Sequence, residues 1–223
     1  MGVAVAGLNT RRNWLLDSQL VLYLPFWDSR MKGSPIISQD IYSHSCPVTG
    51  ALWRPDGRYF DGTDDYITVP DAASLRITGD LTIEGWVKLN DNAGYETFAA
   101  RYYIHEFEAR FTNGVMVFVD GDGANYNLYT GTSAIGTNWA HVAWVRGATF
   151  NTYINGSLDK SQALGAYTVT TGTNDVIIGA RKIAADPATH FLNGIIGEVW
   201  VHARALSLSE VQSRRLETMW RYH

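Results

Sequence analysis

Seven Asn-Gly or Asp-Gly pairs punctuate this chain, at Asn113-Gly114, Asn155-Gly156, Asn193-Gly194, Asp56-Gly57, Asp61-Gly62, Asp120-Gly121 and Asp122-Gly123. Such pairs tolerate the positive φ of tight hairpins, so a chain cut this often has little room for long helices. The stretches between them are short and β-rich: LVLYL (20–24), DYITV (65–69), LTIEGWVKL (81–89), VMVFVD (115–120), HVAWVR (141–146), NTYIN (151–155), DVIIGA (175–180) and IIGEVWVHA (195–203). Many alternate apolar with polar residues, the period of a half-buried antiparallel strand. In LTIEGWVKL, Leu81, Ile83, Gly85, Val87 and Leu89 share one face, and Thr82, Glu84, Trp86 and Lys88 share the other. Strands at this spacing predict an all-β fold, two antiparallel sheets packed as a sandwich.

A length of 223 residues suits one undivided all-β domain over 20–223, preceded by an N-terminal arm over 1–19. One helix is predicted near 208–219, where Ser207 and Glu210 form a capping box that satisfies otherwise orphaned amides. The stretch 30–56, with Pro35, Pro47 and Pro55, reads as a long irregular crossing with one short strand. Cys46 is the single cysteine, which excludes an internal disulfide and a cysteine-based zinc site and favours a buried, inert thiol. A net charge of -4 with no run of Lys and Arg argues against nucleic acid. The start, MGVAVAGLNTRRNWLL, lacks the apolar segment of a secretory signal, and no apolar run is long enough to span a membrane.

Three ordered blocks resemble the laminin-G-like, or concanavalin A-like, jelly-roll superfamily. YFDGTDDYITVPDAASLRITGDLTIEGWVKL is similar to its opening block, NWAHVAWVRGATFNTYINGSL to its central hairpin, and IIGARKIAADPATHFLNGIIGEVWVHARALSLSEVQ to its closing block with a capping helix. LVLYLPFWD fits its first strand, so the resemblance covers roughly residues 20–215. It implies a jelly-roll sandwich with a short C-terminal helix. It also implies a place for one structural calcium ion at the rim, formed by Asp61 and Glu198, although Gly197 stands where relatives often carry Asp.

Candidate chemistry divides unevenly. Glu106 and Glu108 would share one face of a strand, as a glycosidase pair could, but Ala109 and Arg110 follow where a glucanase-like acidic triplet would continue, and a solvated face is the better reading. No Gly-x-Ser-x-Gly elbow exists, and His141 reads as a satisfied core histidine. Asp61, Asp64 and Asp65 read first as a turn, with calcium as the alternative. The loop Asp120–Asn125 opens like a calcium loop but has Gly131 at the twelfth position.

Binding is the stronger expectation. Tyr95, Tyr126 and Tyr129, placed in loops at one end of a rigid sandwich, are the candidate ligand-binding residues. The sequence therefore predicts no enzyme, but a surface binding or adhesion module that recognises glycan or protein through its rim loops. A structural or decoration protein of a bacteriophage virion, contacting capsid subunits or further copies of itself through the terminal arm, is the alternative, and a glycoside hydrolase the third. An extracellular or virion-surface location follows from the first two.

Overall fold

The computed structural model describes residues 17–102, 104–182 and 188–222. Of the expected arm, residues 1–16 lie outside the described residues. The strands, in chain order, are β1 (Leu20–Pro25), β2 (Ile36–Ile37), β3 (Ser45–Cys46), β4 (Val48–Thr49), β5 (Leu52–Arg54), β6 (Gly57–Asp61), β7 (Tyr66–Val69), β8 (Leu81–Leu89), β9 (Tyr95–Arg101), β10 (Phe107–Thr112), β11 (Val115–Gly121), β12 (Tyr126–Ala134), β13 (Ala140–Arg146), β14 (Phe150–Ile154), β15 (Ser157–Gln162), β16 (Val176–Ile178) and β17 (Asn193–His202). The helix α1 (Leu208–Thr218) closes the chain behind the predicted Ser207–Glu210 capping box.

Two antiparallel sheets face each other, as expected for the concanavalin A-like class. One runs β15-β14-β13-β8-β17-β6-β5, and the other β12-β11-β10-β9-β16-β7-β4. Strand β17 is long enough to pair along one edge with β8 and along the other with β6 and then β1. Ile83, Val87, Leu89, Val142, Trp144, Val199 and Val201 from the first sheet meet Ile67, Phe98, Phe111, Met116, Phe118 and Ile178 from the second in one interior. Fully burying a side chain of this kind contributes roughly 1.5–3 kcal/mol.

Asn113-Gly114 and Asn155-Gly156 make the tight β10–β11 and β14–β15 hairpins, with positive φ at both residues of each pair. Asn193-Gly194 does not turn. It lies inside β17, where a side chain on Gly194 would collide with the Lys88 carbonyl at 2.3 Å, so the glycine serves close strand approach. The stretch 30–56 carries four short strands instead of one.

The largest departure from the sequence reading is the second face of β8. Thr82, Glu84 and Trp86 are buried along with the first face. The reason is α1, whose Val211, Arg214 and Thr218 turn toward the outer side of that sheet. Tyr222 follows it and stacks on Trp86 at 4.6 Å. Among the described residues no helix is long and apolar enough to cross a membrane.

Candidate functional site

At one end of the sandwich the inward alternation of three strands finishes on polar residues. Met116 and Phe118 are followed by Asp120 on β11, Val142 and Trp144 by Arg146 on β13, and Tyr129 is preceded by Asn127 on β12. These end residues plug the core. The Asp120 carboxylate accepts from Arg146 Nη1 at 2.8 Å and from Asn127 Nδ2 at 2.8 Å. The Arg146 guanidinium also donates to the carbonyls of Gly79, Ile77 and Glu106. A buried ion pair is tolerable only when its remaining donors and acceptors are met in this way.

The segment joining β15 to β16 crosses this plug as a strap. Side chains hold it in place of a strand ladder. Asn127 Oδ1 accepts from the Tyr167 amide at 3.0 Å while its Nδ2 donates to the Tyr167 carbonyl at 2.8 Å, so one side chain stands in for a backbone partner. The Gly165 amide donates to Tyr129 Oη at 3.0 Å. A Cβ on Gly165 would sit 2.1 Å from Asn127 Oδ1, which is why glycine is needed there. Between strap and plug lies a pocket of about 280 Å³, lined by Asp80, Asp120, Asn127, Tyr129, Arg146 and Tyr167 among others.

The predicted ligand residues are not brought together. Tyr95 opens β9 and Tyr126 opens β12, three strands apart and at opposite ends of their sheet. Tyr95 is 52% exposed, but its ring stacks on His190 at 5.1 Å and lies 5.1 Å from the Arg110 guanidinium. Tyr126 is 54% exposed on the side of β12 away from the core. Tyr129 is no exposed loop aromatic. It lies within a strand, 3% exposed, stacked on Phe150 at 4.2 Å, because the chain turns back at Asp122–Asn125 and already resumes as β12 at Tyr126. It is nonetheless among the residues that line the pocket, with its Oη under the Gly165 amide of the strap. Asn127, Arg146 and Tyr167 were missed; the legible signal was an arginine on the apolar face of HVAWVR.

Glu106 and Glu108 are not a solvated face. Both are 0% exposed. Glu106 accepts from Arg101 Nε at 3.0 Å, the Gly172 amide at 2.9 Å and the Thr171 hydroxyl. Glu108 accepts from Thr97 and from Arg110 at 2.8 Å, with His190 3.6 Å away. Although burial opposes it, His190, Arg110 and Arg181 keep its carboxyl below the usual range.

Asp61 and Glu198 are also separated. Asp61 pairs with Asn193, and Glu198 lies five positions further along β17, or about 17 Å at strand rise. Glu198 faces the helix side, fully buried, and accepts from Tyr23 Oη (2.8 Å), Tyr222 Oη (2.9 Å) and Arg221 (2.6 Å). With its oxygens so committed it is no rim ligand. Asp61, Asp64 and Asp65 instead converge, each offering an oxygen within 4.8 Å of the others, and could hold a hard cation. Asp61 also accepts from the Thr63 amide and Asp65 from the Asp61 amide, the bonds of a turn. Burial, with the charges of Asp61 and Asp64, holds Asp65 above the usual carboxylate range.

Two side chains expected in the core are there. The Cys46 thiol is buried and pushed up to about 12, an inert group. His141 is buried but not satisfied: neither ring nitrogen makes a hydrogen bond, and Glu84 stands 3.6 Å away.

Residues 61–212 match the family model of the Concanavalin A-like lectin/glucanases superfamily. No match was found among curated proteins. Among solved structures, the chain is similar to the binding domain of botulinum neurotoxin serotype D, with a TM-score of 0.71 and 14% identity over 90% of this chain and 52% of that one. It is equally similar, at 0.71 and 14%, to the serotype D ligand-binding domain in complex with N-acetylneuraminic acid, over 90% and 51% of the two chains. The binding domain of botulinum neurotoxin DC in complex with rat synaptotagmin II gives the same values over 89% and 51%. The chain thus spans about half the length of these structures, and at this identity the likeness is one of fold.

Proposed function

The chain belongs to the concanavalin A-like lectin/glucanase superfamily, and from that premise we propose that it is a non-catalytic recognition module, engaging glycan or protein surfaces through the sandwich rim beneath the strap. The observation that carries this reading is the pocket between the strap and the Asp120–Arg146–Asn127 plug. It is concave, with the buried plug as its floor and with Thr78, Asp80, Tyr167 and Thr168 as exposed groups at its mouth, and these mouth residues are the ones that can meet a ligand. The hydrolase alternative needs two carboxyl groups in contact with substrate. Glu106 and Glu108, its candidates, have no exposed surface. The similar neurotoxin domains, solved with a sialic acid and with a protein receptor, are consistent with a binding role for the architecture.

Immobilised chain presented with a glycan array and with cell-surface protein extracts is expected to retain a defined subset of ligands. Tyr167→Ala should weaken retention at least tenfold, with no turnover of a polysaccharide panel. Turnover that disappears in Glu106→Gln or Glu108→Gln would replace this reading with the hydrolase. The acidic bend keeps its turn role here. A rise in melting temperature with CaCl2 that is lost in Asp64→Asn, the one member with no turn hydrogen bond, would assign it an ion instead. The virion reading rested on the terminal arm, whose residues 1–16 lie outside the described residues.

A further inference from the structure

We propose that the outer side of the first sheet, where α1 ends, docks on an anionic lipid surface, with Leu216 and Trp220 entering the bilayer interface. None of its residues lines the pocket, so this surface is separate from the rim. Exposure marks it out. Trp220 is 66% exposed, and Leu216, one helical turn earlier, is 62% exposed, although tryptophan is highly buried on average. The ring is nonetheless held. Arg221, tied to Glu198 at 2.6 Å, lies 4.7 Å from the centroid of Trp220 and 4.3 Å from that of Trp27. Trp220 Nε1 donates to the Glu217 carbonyl at 3.0 Å. An indole whose N–H is already met can leave water without stranding a donor, and one held in place loses little freedom on binding.

The apolar ground continues on the sheet. Ile196 points into the core, so Ile195 and Gly197 face outward. Tyr222 covers Gly197, where an added Cβ would sit 2.3 Å from its ring, and Trp139 packs on Tyr222 at 4.7 Å. Beside them Leu52, Tyr59, Ile195 and Lys88 stand in one row across β5, β6, β17 and β8, and Leu52 is 62% exposed.

Charge selects the occupant. Among the described residues, four cations without an ion pair, Lys32, Arg54, Lys88 and Arg215, border this ground, against two such acids, Asp56 and Glu217. The surface is therefore cationic on a chain whose net charge is -4. Arg54 lies 4.0 Å over the Tyr59 ring and Lys32 lies 4.3 Å over Trp53. Aromatic rings beside long cations suit the headgroup layer, where the rings settle at the boundary and the cations reach phosphate. A second copy laid on the same patch would instead set these cations against one another.

Cosedimentation of the full chain with vesicles tests this, one set of phosphatidylcholine alone and one an equal mixture with phosphatidylserine. At low salt the anionic set should retain the chain at least tenfold more strongly, and retention should fall as salt rises. Brominated acyl chains should quench tryptophan emission more in the native chain than in Trp220→Phe. Leu216→Ser with Trp220→Ser, and separately Arg54→Glu with Lys88→Glu, should each weaken retention at least tenfold, with thermal melting to check that both pairs keep the fold. Equal retention by the two vesicle sets, retention by neither, or full retention in either double variant would overturn the assignment. Displacement of the vesicles by polyglutamate or a single-stranded oligonucleotide at matched charge, with no quenching by the brominated chains, would also overturn it and give the patch to a soluble polyanion.

Discussion

The pocket rim and the helix-covered back of the first sheet both bury charge, but they settle it differently. At the rim, Asp120, Asn127 and Arg146 meet one another and the backbone at 2.8–3.2 Å. Beneath α1, Glu84 faces His141, His202 and Arg214 at 3.6–3.7 Å, beyond hydrogen-bond distance, and both Glu84 oxygens lack a hydrogen bond. The rim is thus a set of closed hydrogen bonds, suited to presenting a fixed surface. The back is a loose electrostatic island held together by the packing above it, and its contribution depends on protonation.

The sharpest way to break this contrast is to remove one charge from the closed set. Asp120→Asn keeps shape and most hydrogen bonding but strands the Arg146 charge in a site only 5% exposed. Breaking a buried pair from one side costs about 3–5 kcal/mol, a large share of the roughly 5–15 kcal/mol that stabilises a typical domain. Urea unfolding at neutral pH should show a loss of that size. A loss below about 1 kcal/mol would mean that the three carbonyls around Arg146 hold it without its counter-ion.

Acidification probes the island. Burial pushes His141 down to about 4 from its ordinary 6.5, and His202 is lowered the same way. A histidine held low stays neutral in the fold and protonates on unfolding. Its contribution is complete above pH 6.5 and is lost as pH falls toward 4. Glu96 acts oppositely: burial pushes it up to about 7, so its cost above pH 7 is relieved as pH falls toward 4.5. Between pH 7.5 and 5 the His141 and Glu96 effects each amount to about 2 kcal/mol and oppose one another. His141→Asn should therefore gain about 2 kcal/mol on acidification relative to the native chain, and Glu96→Gln should lose about as much. Glu198, which burial raises, and His202, which burial lowers, are common to all three proteins and cancel from the comparison. Parallel pH profiles for the three, from chemical denaturation, would show that the island does not govern acid response.

The contrast also explains what could be read from the residues alone. The interior was legible wherever period-two alternation met a turn pair, and LTIEGWVKL became β8 without a shift at either end. The capping box placed α1 to within a residue. What α1 would cover was not legible, because the outer face of β8 has the same alternation whether it meets water or a helix. Tyr129 was misplaced because two Asp-Gly pairs in succession, at 120–123, suggested a longer loop than the tight Asp122–Asn125 turn. The strap carried no period at all. Its place is set by Asn127 and Tyr129, far away in sequence, and by a glycine whose need appears only when the two segments touch.

The finest comparison pits one hydrogen bond at the rim against one beneath the helix. Tyr129→Phe removes the acceptor of the Gly165 amide at 3.0 Å, but Gly165 is exposed and water can replace the phenol. Thr218→Val removes the acceptor of Trp86 Nε1 at 2.7 Å, a bond with no access to water. A buried donor left unmet costs about 1–3 kcal/mol, whereas exchanging a partner for water costs about 0.5–1.5 kcal/mol. Melting should drop for Thr218→Val and barely move for Tyr129→Phe. Amide exchange should show the reverse, with faster exchange at Gly165 and Tyr167 in Tyr129→Phe alone. If both variants melt alike and the strap amides keep their protection, the strap is anchored by Asn127 without help from the phenol.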